Sequence, residues 1–211
     1  MNLKEYPSKI LKRNIVLCIC GMAGSGKSTL ARKIAEHYGF KYYSGGDALK
    51  ALAAEMGYKT YDQGWWESEE GIKFLRERMN TPDLDRKVDE KLMEWAKEGE
   101  VVLDSWTMPW LLKDGFKVWL EASEEARAKR IAERDNLRLE ETIRFIREKE
   151  SRTRAIFKKL YGFSLGEDFE PFHAIIDVEI LDKEEAFHVL CMVIDNLILK
   201  DSKRCSIYTS L

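Results

Sequence analysis

Residues Gly21 to Thr29 read Gly-Met-Ala-Gly-Ser-Gly-Lys-Ser-Thr, and this stretch decides the fold. The apolar run from Ile15 to Cys20 precedes it, and a helical pattern that begins at Leu30 follows it. Such glycines allow a loop whose backbone N–H groups curl around a phosphate chain, and the next helix adds the positive end of its dipole. The residues expected to hold a nucleoside triphosphate are Gly21, Met22, Ala23, Gly24, Ser25, Gly26, Lys27, Ser28 and Thr29.

Three side chains at this end of the molecule have more specific roles. Lys27 is expected to act in catalysis by reaching the β- and γ-phosphates, and the Ser28 hydroxyl is placed to ligate Mg²⁺. Asp104 ends the buried run Val-Val-Leu-Asp, at the carboxyl end of a parallel strand, where a carboxylate can also hold Mg²⁺. The alternative for Asp104 is a cap of the loop that follows.

Composition limits the classes of protein that this chain can be. It has 211 residues, of which 34% are charged and 45% apolar, so it can build a substantial core. The net charge of −2 argues against a dedicated nucleic-acid binder. The sequence shows no apolar run long enough for a membrane span and no signal peptide, and its four cysteines are typical of reduced thiols. We expect a cytoplasmic monomer or dimer.

Short apolar runs alternate with longer amphipathic segments, which is typical of an α/β fold with a parallel sheet between helices. Strands are predicted near 14–20, 40–43, 100–104, 116–120 and 174–178. Helices are predicted over 27–38, 46–56, 67–79, 82–98, 123–134, 139–160 and 183–199.

We interpret the chain as one domain with two excursions from its core. The core comprises 14–43, 100–134 and 171–199, and flexible tails are expected at 1–13 and 200–211. A phosphoryl-transfer enzyme has uses for both excursions, since residues 46–98 can hold an acceptor and residues 134–154 can form a lid that excludes water.

Other candidate residues carry open alternatives. Asp47 either orients the acceptor or takes part in the shell of the metal ion, or it caps the next helix. Among the lid cations, two or three are expected to contact phosphate, and the candidates are Arg130, Arg134, Arg147, Arg152 and Arg154. Tryptophans can stack on a base or simply belong to the core, and the candidates are Trp65, Trp66, Trp106 and Trp110.

Several segments together resemble the archaeal-type cytidylate kinases of the nucleoside monophosphate kinase superfamily. They are the P-loop, which is the phosphate-binding stretch Gly21 to Thr29, and Ser44-Gly45-Gly46-Asp47, Asp85-Arg86-Lys87-Val88-Asp89, Val101-Val102-Leu103-Asp104, Val118-Trp119-Leu120 with Arg127 to Arg134, and Lys159-Leu160-Tyr161-Gly162.

The resemblance implies a three-layer P-loop kinase fold with strand order 2-3-1-4-5, and transfer of the ATP γ-phosphate to CMP or dCMP with Mg²⁺. It also implies that Asp85, Arg86 and Asp89 face the acceptor and that Arg130 and Arg134 serve the lid; Arg152 is added as a catalytic candidate.

Two positions depart from the family pattern. Lys50 stands where related kinases carry an arginine that holds the monophosphate, and Ser105-Trp106 stands where they carry Gly-Arg. Lysine keeps the charge but loses the bidentate fork of arginine. Lys50 and Trp106 are still expected to contact the acceptor. The alternatives are a kinase of the same fold for another small molecule or an RNA end, or a nucleotide-dependent assembly ATPase.

Overall fold

The computed structural model describes residues 15–61, 64–78, 81 and 83–196. Its strands are β1 Val16–Gly21, β2 Lys41–Ser44, β3 Val101–Asp104, β4 Phe116–Glu121 and β5 Ala174–Asp177. Its helices are α1 Lys27–Tyr38, α2 Gly45–Glu55, α3 Glu69–Arg78, α4 Asp83–Ala96, α5 Met108–Leu111, α6 Glu124–Asp135, α7 Leu139–Tyr161 and α8 Lys183–Ile194, and a 3₁₀ turn covers Trp65–Glu67.

The strands form one parallel sheet in the order β2-β3-β1-β4-β5, which confirms the predicted topology. In the register of this sheet, Ile19 of β1 pairs with Asp104 of β3, and Ser44 of β2 pairs with the same Asp104. The strands therefore present their carboxyl ends at one edge. In open parallel sheets this is the edge at which ligands bind.

Helices cover both faces of the sheet because its central strand is apolar on both sides. All six residues of β1 are buried. Leu17 and Ile19 pack against α1 and α8 on one face, whereas Cys18 packs against α2, α4 and Trp65 on the other. Alternate side chains of a strand point to opposite faces, so a continuously apolar strand needs such a three-layer arrangement.

The predicted lid, residues 134–154, covers the end of α6 and most of α7, and both helices have clear ends. The Ser123 side chain caps α6 by accepting a hydrogen bond from the Ala126 N–H. Asn136 ends α6 in the left-handed region, with φ of 53°, and α7 then runs for 23 residues to Tyr161 and is followed by Gly162, with φ of 83°. Asparagine and glycine are the residues that adopt this conformation at a helix end. The two helices pack on each other beside the P-loop.

The sequence predictions and the structure differ in a few places. The short helix α5 and the 3₁₀ turn were not predicted. Helix α8 ends at Ile194, and the predicted continuation to residue 199 extends beyond the described residues, as do the tails 1–13 and 200–211. Within the described part of the chain, no helix is long and apolar enough to cross a membrane.

Candidate active site

The P-loop connects β1 to α1 and has a backbone that only glycine can supply at two points. Gly24 has φ of 82°, and a Cβ atom there would lie 2.5 Å from the backbone oxygen of Arg127. Gly26 has φ of 90° and precedes α1, which has no side-chain cap. The first N–H groups of α1 are therefore available to an anion, which is the arrangement that binds phosphate.

Two neighbouring residues hold this loop in place. The Trp106 indole N–H donates to the Gly21 carbonyl at 2.6 Å, and Arg127 Nη1 donates to the Ala23 carbonyl at 2.8 Å. The Ser25 hydroxyl is buried inside the loop without a hydrogen-bond partner among the described residues. These contacts fix the loop from outside, so its shape is set before any ligand arrives.

A cavity of about 480 Å³ opens next to the loop, within the range of small-molecule sites. It lies at the carboxyl edge of the sheet, between α2, α4 and α7. The predicted site residues that line it are Ala23, Gly24, Lys27, Ser28, Asp47, Lys50, Asp85, Asp89, Asp104, Trp106 and Arg134. The structure thus brings the P-loop and most of the predicted acceptor residues to one cavity.

Ser28 and Asp104 both line this cavity, in a way that suits a magnesium ion. Asp104 is buried at the end of β3, and its carboxylate accepts a hydrogen bond of 3.1 Å from the Tyr42 hydroxyl. No cluster of three or more ligating side chains exists among the described residues. Mg²⁺ in phosphoryl-transfer sites is held by one or two protein oxygens together with phosphates and water, so this sparse donor set fits it.

The predicted acceptor residues of α2 have partners at the cavity rim. Ser44, and not Asp47, caps α2, because its hydroxyl accepts the Asp47 backbone N–H at 3.2 Å. This contradicts the capping alternative for Asp47. The Asp47 carboxylate instead forms an exposed ion pair with Arg32 at 2.8 Å. Lys50 points its ammonium toward the Tyr61 carbonyl at 3.5 Å.

Asp85 and Asp89 of α4 are buried and line the cavity. Asp85 accepts two hydrogen bonds from Nε of Arg78, at 2.9 and 3.1 Å, and a third from Nη2. Asp89 accepts the hydroxyls of Thr107 and Tyr161, each at 2.5 Å. Burial raises the pKa of Asp89 to about 6, although these hydroxyls favour its charged form.

Cations also line the cavity. The ammonium of Lys149 lies 4.6 Å from the centroid of the Trp66 ring and 6.0 Å from that of Trp106, and Lys27 lies 5.3 Å from the latter. Burial lowers the pKa of Lys149 to about 8, and the nearby charges of Lys27, Arg78 and Arg134 act in the same direction. Arg134 pairs with Asp135 and approaches Glu67 at 3.9 Å.

Other predicted site residues lie outside the cavity. Arg130 donates to the carbonyls of Val178, at 2.5 Å, and Glu179, at 3.1 Å, after β5. Arg152 pairs with Glu148 one turn earlier in α7, at 2.8 Å. Arg86 lies on the exposed side of α4. In this structure these three arginines do not line the cavity that contains Lys27.

The remaining lid candidates and two of the tryptophans have structural contacts. Arg147 pairs with Glu124 at the surface, and Arg154 donates to the Leu165 carbonyl. Trp65 is fully buried, and Trp110 stacks on Phe163 with ring centroids 4.0 Å apart. The core alternative therefore holds for Trp65 and Trp110, whereas Trp66 and Trp106 line the cavity.

Residues 16–180 match the cytidylate kinase-like family. The chain belongs to that family. The cytidylate kinase of Pyrococcus horikoshii is 34% identical over 187 residues, which cover 88% of this chain and 91% of the relative. The cytidylate kinase of Methanopyrus kandleri is 30% identical, with 89% and 97% covered.

Solved structures agree on the fold. A shikimate kinase from Bacteroides thetaiotaomicron has a TM-score of 0.52 at 15% identity, and covers 87% of this chain and 98% of its own. This cytidylate kinase-like protein is therefore a P-loop kinase by fold and a nucleoside monophosphate kinase by family, and ATP is the donor that the family implies.

Sequence reasoning did not single out several cavity residues of this cytidylate kinase-like protein. Arg78, Glu67 and Thr107 line the cavity, and none of them belongs to a recognised motif. Lys149 also lines it, but in the sequence it is one of ten basic residues between 127 and 154. Its helical phase relative to Ile146, which is buried, is a signal that could have placed it on the inner side of α7.

Proposed function

We propose that this protein transfers the γ-phosphoryl group of ATP to CMP or dCMP, giving ADP and the cytidine diphosphate. The observation that carries this proposal is the single cavity shared by the P-loop and the acceptor helices α2 and α4. The names of its relatives, which are cytidylate kinases, support the choice of acceptor. The buried free thiols Cys18 and Cys20 support a reducing compartment, the cytoplasm.

The donor side consists of the P-loop and its metal ligands. Backbone N–H groups at the start of α1 and the Lys27 ammonium would hold the ATP phosphates. Ser28 and Asp104 would hold Mg²⁺, which neutralises phosphate charge when bound. Because Trp106 packs against Lys27 and holds the Gly21 carbonyl, it keeps both parts of the donor site in position.

Positioning and charge neutralisation are the main tasks of the protein in phosphoryl transfer. The transferring group carries negative charge on its equatorial oxygens. Of the five cationic side chains that line the cavity among the described residues, we assign Lys27, Arg134 and Lys149 to this charge. Trp106 cannot supply the charge of the arginine that related kinases carry there. We assign that charge to Lys149, whose ammonium lies over the Trp106 ring.

The acceptor phosphate would enter beside α2. Lys50 is the cation of that helix that lines the cavity, and it takes the place of the family arginine. Lysine offers a point charge without the bidentate fork of arginine, so it neutralises a phosphate without fixing its orientation. Asp47 at the rim would orient the acceptor through water or hydroxyl contacts.

An acceptor screen tests the proposed function. The purified protein is incubated with ATP and Mg²⁺ and each ribo- and deoxynucleoside monophosphate in turn, and ADP release is compared with a control that lacks acceptor. We expect CMP and dCMP to give the fastest release, and CDP or dCDP to appear in equal amount. Equal release without acceptor would indicate an ATPase, and a faster reaction with another acceptor would overturn the assignment to CMP.

A further inference from the structure

The cavity has two regions of opposite charge. Lys27, Arg134 and Lys149 lie toward the P-loop and the lid helices, whereas Asp85 and Asp89 lie on α4. Two consecutive wall residues mark the boundary: Trp106 faces the cations and Thr107 hydrogen-bonds Asp89. Phosphates are attracted to the first region and repelled from the second.

Arg78 is the cation of the carboxylate region. Both it and Asp85 are 4% exposed, and Nε and Nη2 of Arg78 make all of its hydrogen bonds to Asp85. Its guanidinium carbon lies 5.7 Å from the centroid of the Phe157 ring, and Phe157 also lines the cavity. The pair with Asp85 therefore holds the guanidinium in one orientation.

This arrangement leaves one donor group of Arg78 unused. Nη1 makes no hydrogen bond to any residue that the structure describes, although the side chain is buried and lines the cavity. Nη1 does not belong to the fully buried side-chain atoms that lack a partner among the described residues, so it is accessible from the cavity, where water or a ligand can accept its hydrogen bonds. A ligand in the cavity can therefore accept from Nη1.

The carboxylates nearby offer the complementary acceptors. Asp89 is 4% exposed and accepts two hydroxyl hydrogen bonds, which use only part of the four lone-pair sites of a carboxylate. Asp85 and Asp89 are close enough to interact electrostatically. A ligand that fits this region presents an acceptor toward Arg78 and an N–H donor toward a carboxylate, and it carries no negative charge.

Cytosine has this pattern on one edge: an exocyclic amino donor beside a ring nitrogen and a carbonyl that both accept. We infer that Arg78 is the residue that recognises the acceptor base, with Nη1 donating to the ring nitrogen and carbonyl of cytosine while an α4 carboxylate accepts its amino group. Uracil has an N–H donor at this ring nitrogen and a carbonyl acceptor in place of the amino group, so donor and acceptor are reversed at both positions. Arg78 therefore determines the preference for CMP over UMP, while the phosphate lies among the cations.

The inference rests on the proposed function, and its test separates the two. The ratio of kcat/KM for CMP to that for UMP is measured for the unmodified protein and for Arg78→Lys, which keeps the charge but loses the fork. Arg76→Lys, an exposed position on the same helix, is the matched control. We expect Arg78→Lys to lower kcat/KM for CMP by about 10- to 100-fold, to lower the CMP-to-UMP ratio by at least about tenfold, and to leave KM for ATP unchanged.

A binding measurement distinguishes base recognition from phosphate binding. Ribose 5-phosphate has the phosphate but lacks the base, so its Kd is expected to be the same for Arg78→Lys and the unmodified protein, while the Kd of CMP rises. An equal rise for CMP, UMP and ribose 5-phosphate would assign Arg78 to the phosphate and overturn the inference. An unchanged CMP-to-UMP ratio would also overturn it.

Folding is monitored by thermal melting. If Arg78→Lys does not fold, the double variant Arg78→Gln/Asp85→Asn replaces the buried ion pair by a neutral pair of similar size. The ratio of kcat/KM for CMP to that for UMP in this variant then decides whether Arg78 recognises the base. An unmodified protein that phosphorylates neither CMP nor dCMP contradicts the proposed function itself. One that phosphorylates CMP, with a base preference that no Arg78 variant changes, contradicts only the inference.

Discussion

Arg127 of α6 and Glu150 of α7 form a buried ion pair that reaches the P-loop. Arg127 Nη1 lies 2.5 Å from the Glu150 carboxylate and 2.8 Å from the Ala23 carbonyl. Both side chains are less than a tenth exposed. The pair therefore links α6 and α7, the helices that contain the predicted lid, to the loop expected to hold the ATP phosphates.

Removing one member of this pair should destabilise the protein strongly. Glu150→Ala leaves a buried guanidinium without its partner, which typically costs about 3–5 kcal/mol of the free energy of unfolding. Denaturant titration measures this loss in the free energy of unfolding. The double variant Arg127→Met/Glu150→Leu should recover most of this loss, because an apolar pair of similar volume avoids the desolvation of two charges.

The exposed pair Glu124–Arg147, which also joins α6 to α7, supplies the control. Arg147→Ala breaks an ion pair whose arginine side chain is 67% exposed, and exposed pairs add little to stability. It should leave the free energy of unfolding almost unchanged. If Glu150→Ala is equally mild, the buried pair does not hold the loop to the lid helices.

Lys27→Ala should abolish most activity and leave the fold intact. Lys27 lies on the cavity wall and is only half-buried, so its removal takes little from the core. We expect kcat to fall by at least about 10²-fold, as when a charge-stabilising donor is removed, and the Tm to stay the same. Lys129→Ala, at an exposed position of α6, is the control and should retain full kcat. Retention of turnover by Lys27→Ala would contradict the P-loop assignment.

Asp104→Asn should change the magnesium dependence of the reaction. The amide keeps the shape and can still accept the Tyr42 hydroxyl, but it loses the charge that favours Mg²⁺. We expect the Mg²⁺ concentration for half-maximal rate to rise by about tenfold or more, and kcat to fall. Tyr42→Phe removes only the hydrogen bond and should have a smaller effect. A magnesium titration that is identical for Asp104→Asn and the unmodified protein would return Asp104 to a role in capping its loop.

The predictable parts of this molecule are those that local sequence controls. The run before the loop is apolar, and the glycines at 24 and 26 stand between it and a helical pattern, so strand, loop and helix could be placed from the sequence. The structure agrees with this placement, since β1 is buried at every position and both glycines have positive φ. Asp104 could be placed at the sheet edge because it ends an apolar strand.

Contacts between distant segments could not be predicted in the same way. Asp85 was expected to face the acceptor, but the structure adds that it holds Arg78, seven residues earlier on another helix. Arg130 and Arg134 are four residues apart on α6, yet one bonds carbonyls after β5 and the other lines the cavity. Which arginine reaches the cavity depends on the packing of α6 against its neighbours, and helical spacing alone does not specify it.

The lowered pKa of Lys149 predicts a pH dependence of acceptor use. In the free protein Lys149 loses its proton near pH 8, since burial disfavours its charged form and the charges of Lys27, Arg78 and Arg134 oppose it, although Glu67 favours it. Below that pH the ammonium attracts phosphate, and above it the attraction is lost. The value of kcat/KM should therefore fall as the pH rises through about 8, because kcat/KM reports groups of the free enzyme. The limb in kcat should lie at higher pH, since a bound phosphate stabilises the charged form.

Lys149→Arg tests this assignment, because a guanidinium stays charged throughout the range. The alkaline fall of kcat/KM should disappear or move upward in this variant, while Lys129→Arg, on the exposed side of α6, should keep the profile of the unmodified protein. The measurement is a series of initial rates with CMP at limiting concentration between pH 6.5 and about 9.5, above the second pKa of the acceptor phosphate at about 6. An alkaline limb that is the same in Lys149→Arg would show that another group controls it, and would remove Lys149 from contact with the phosphates.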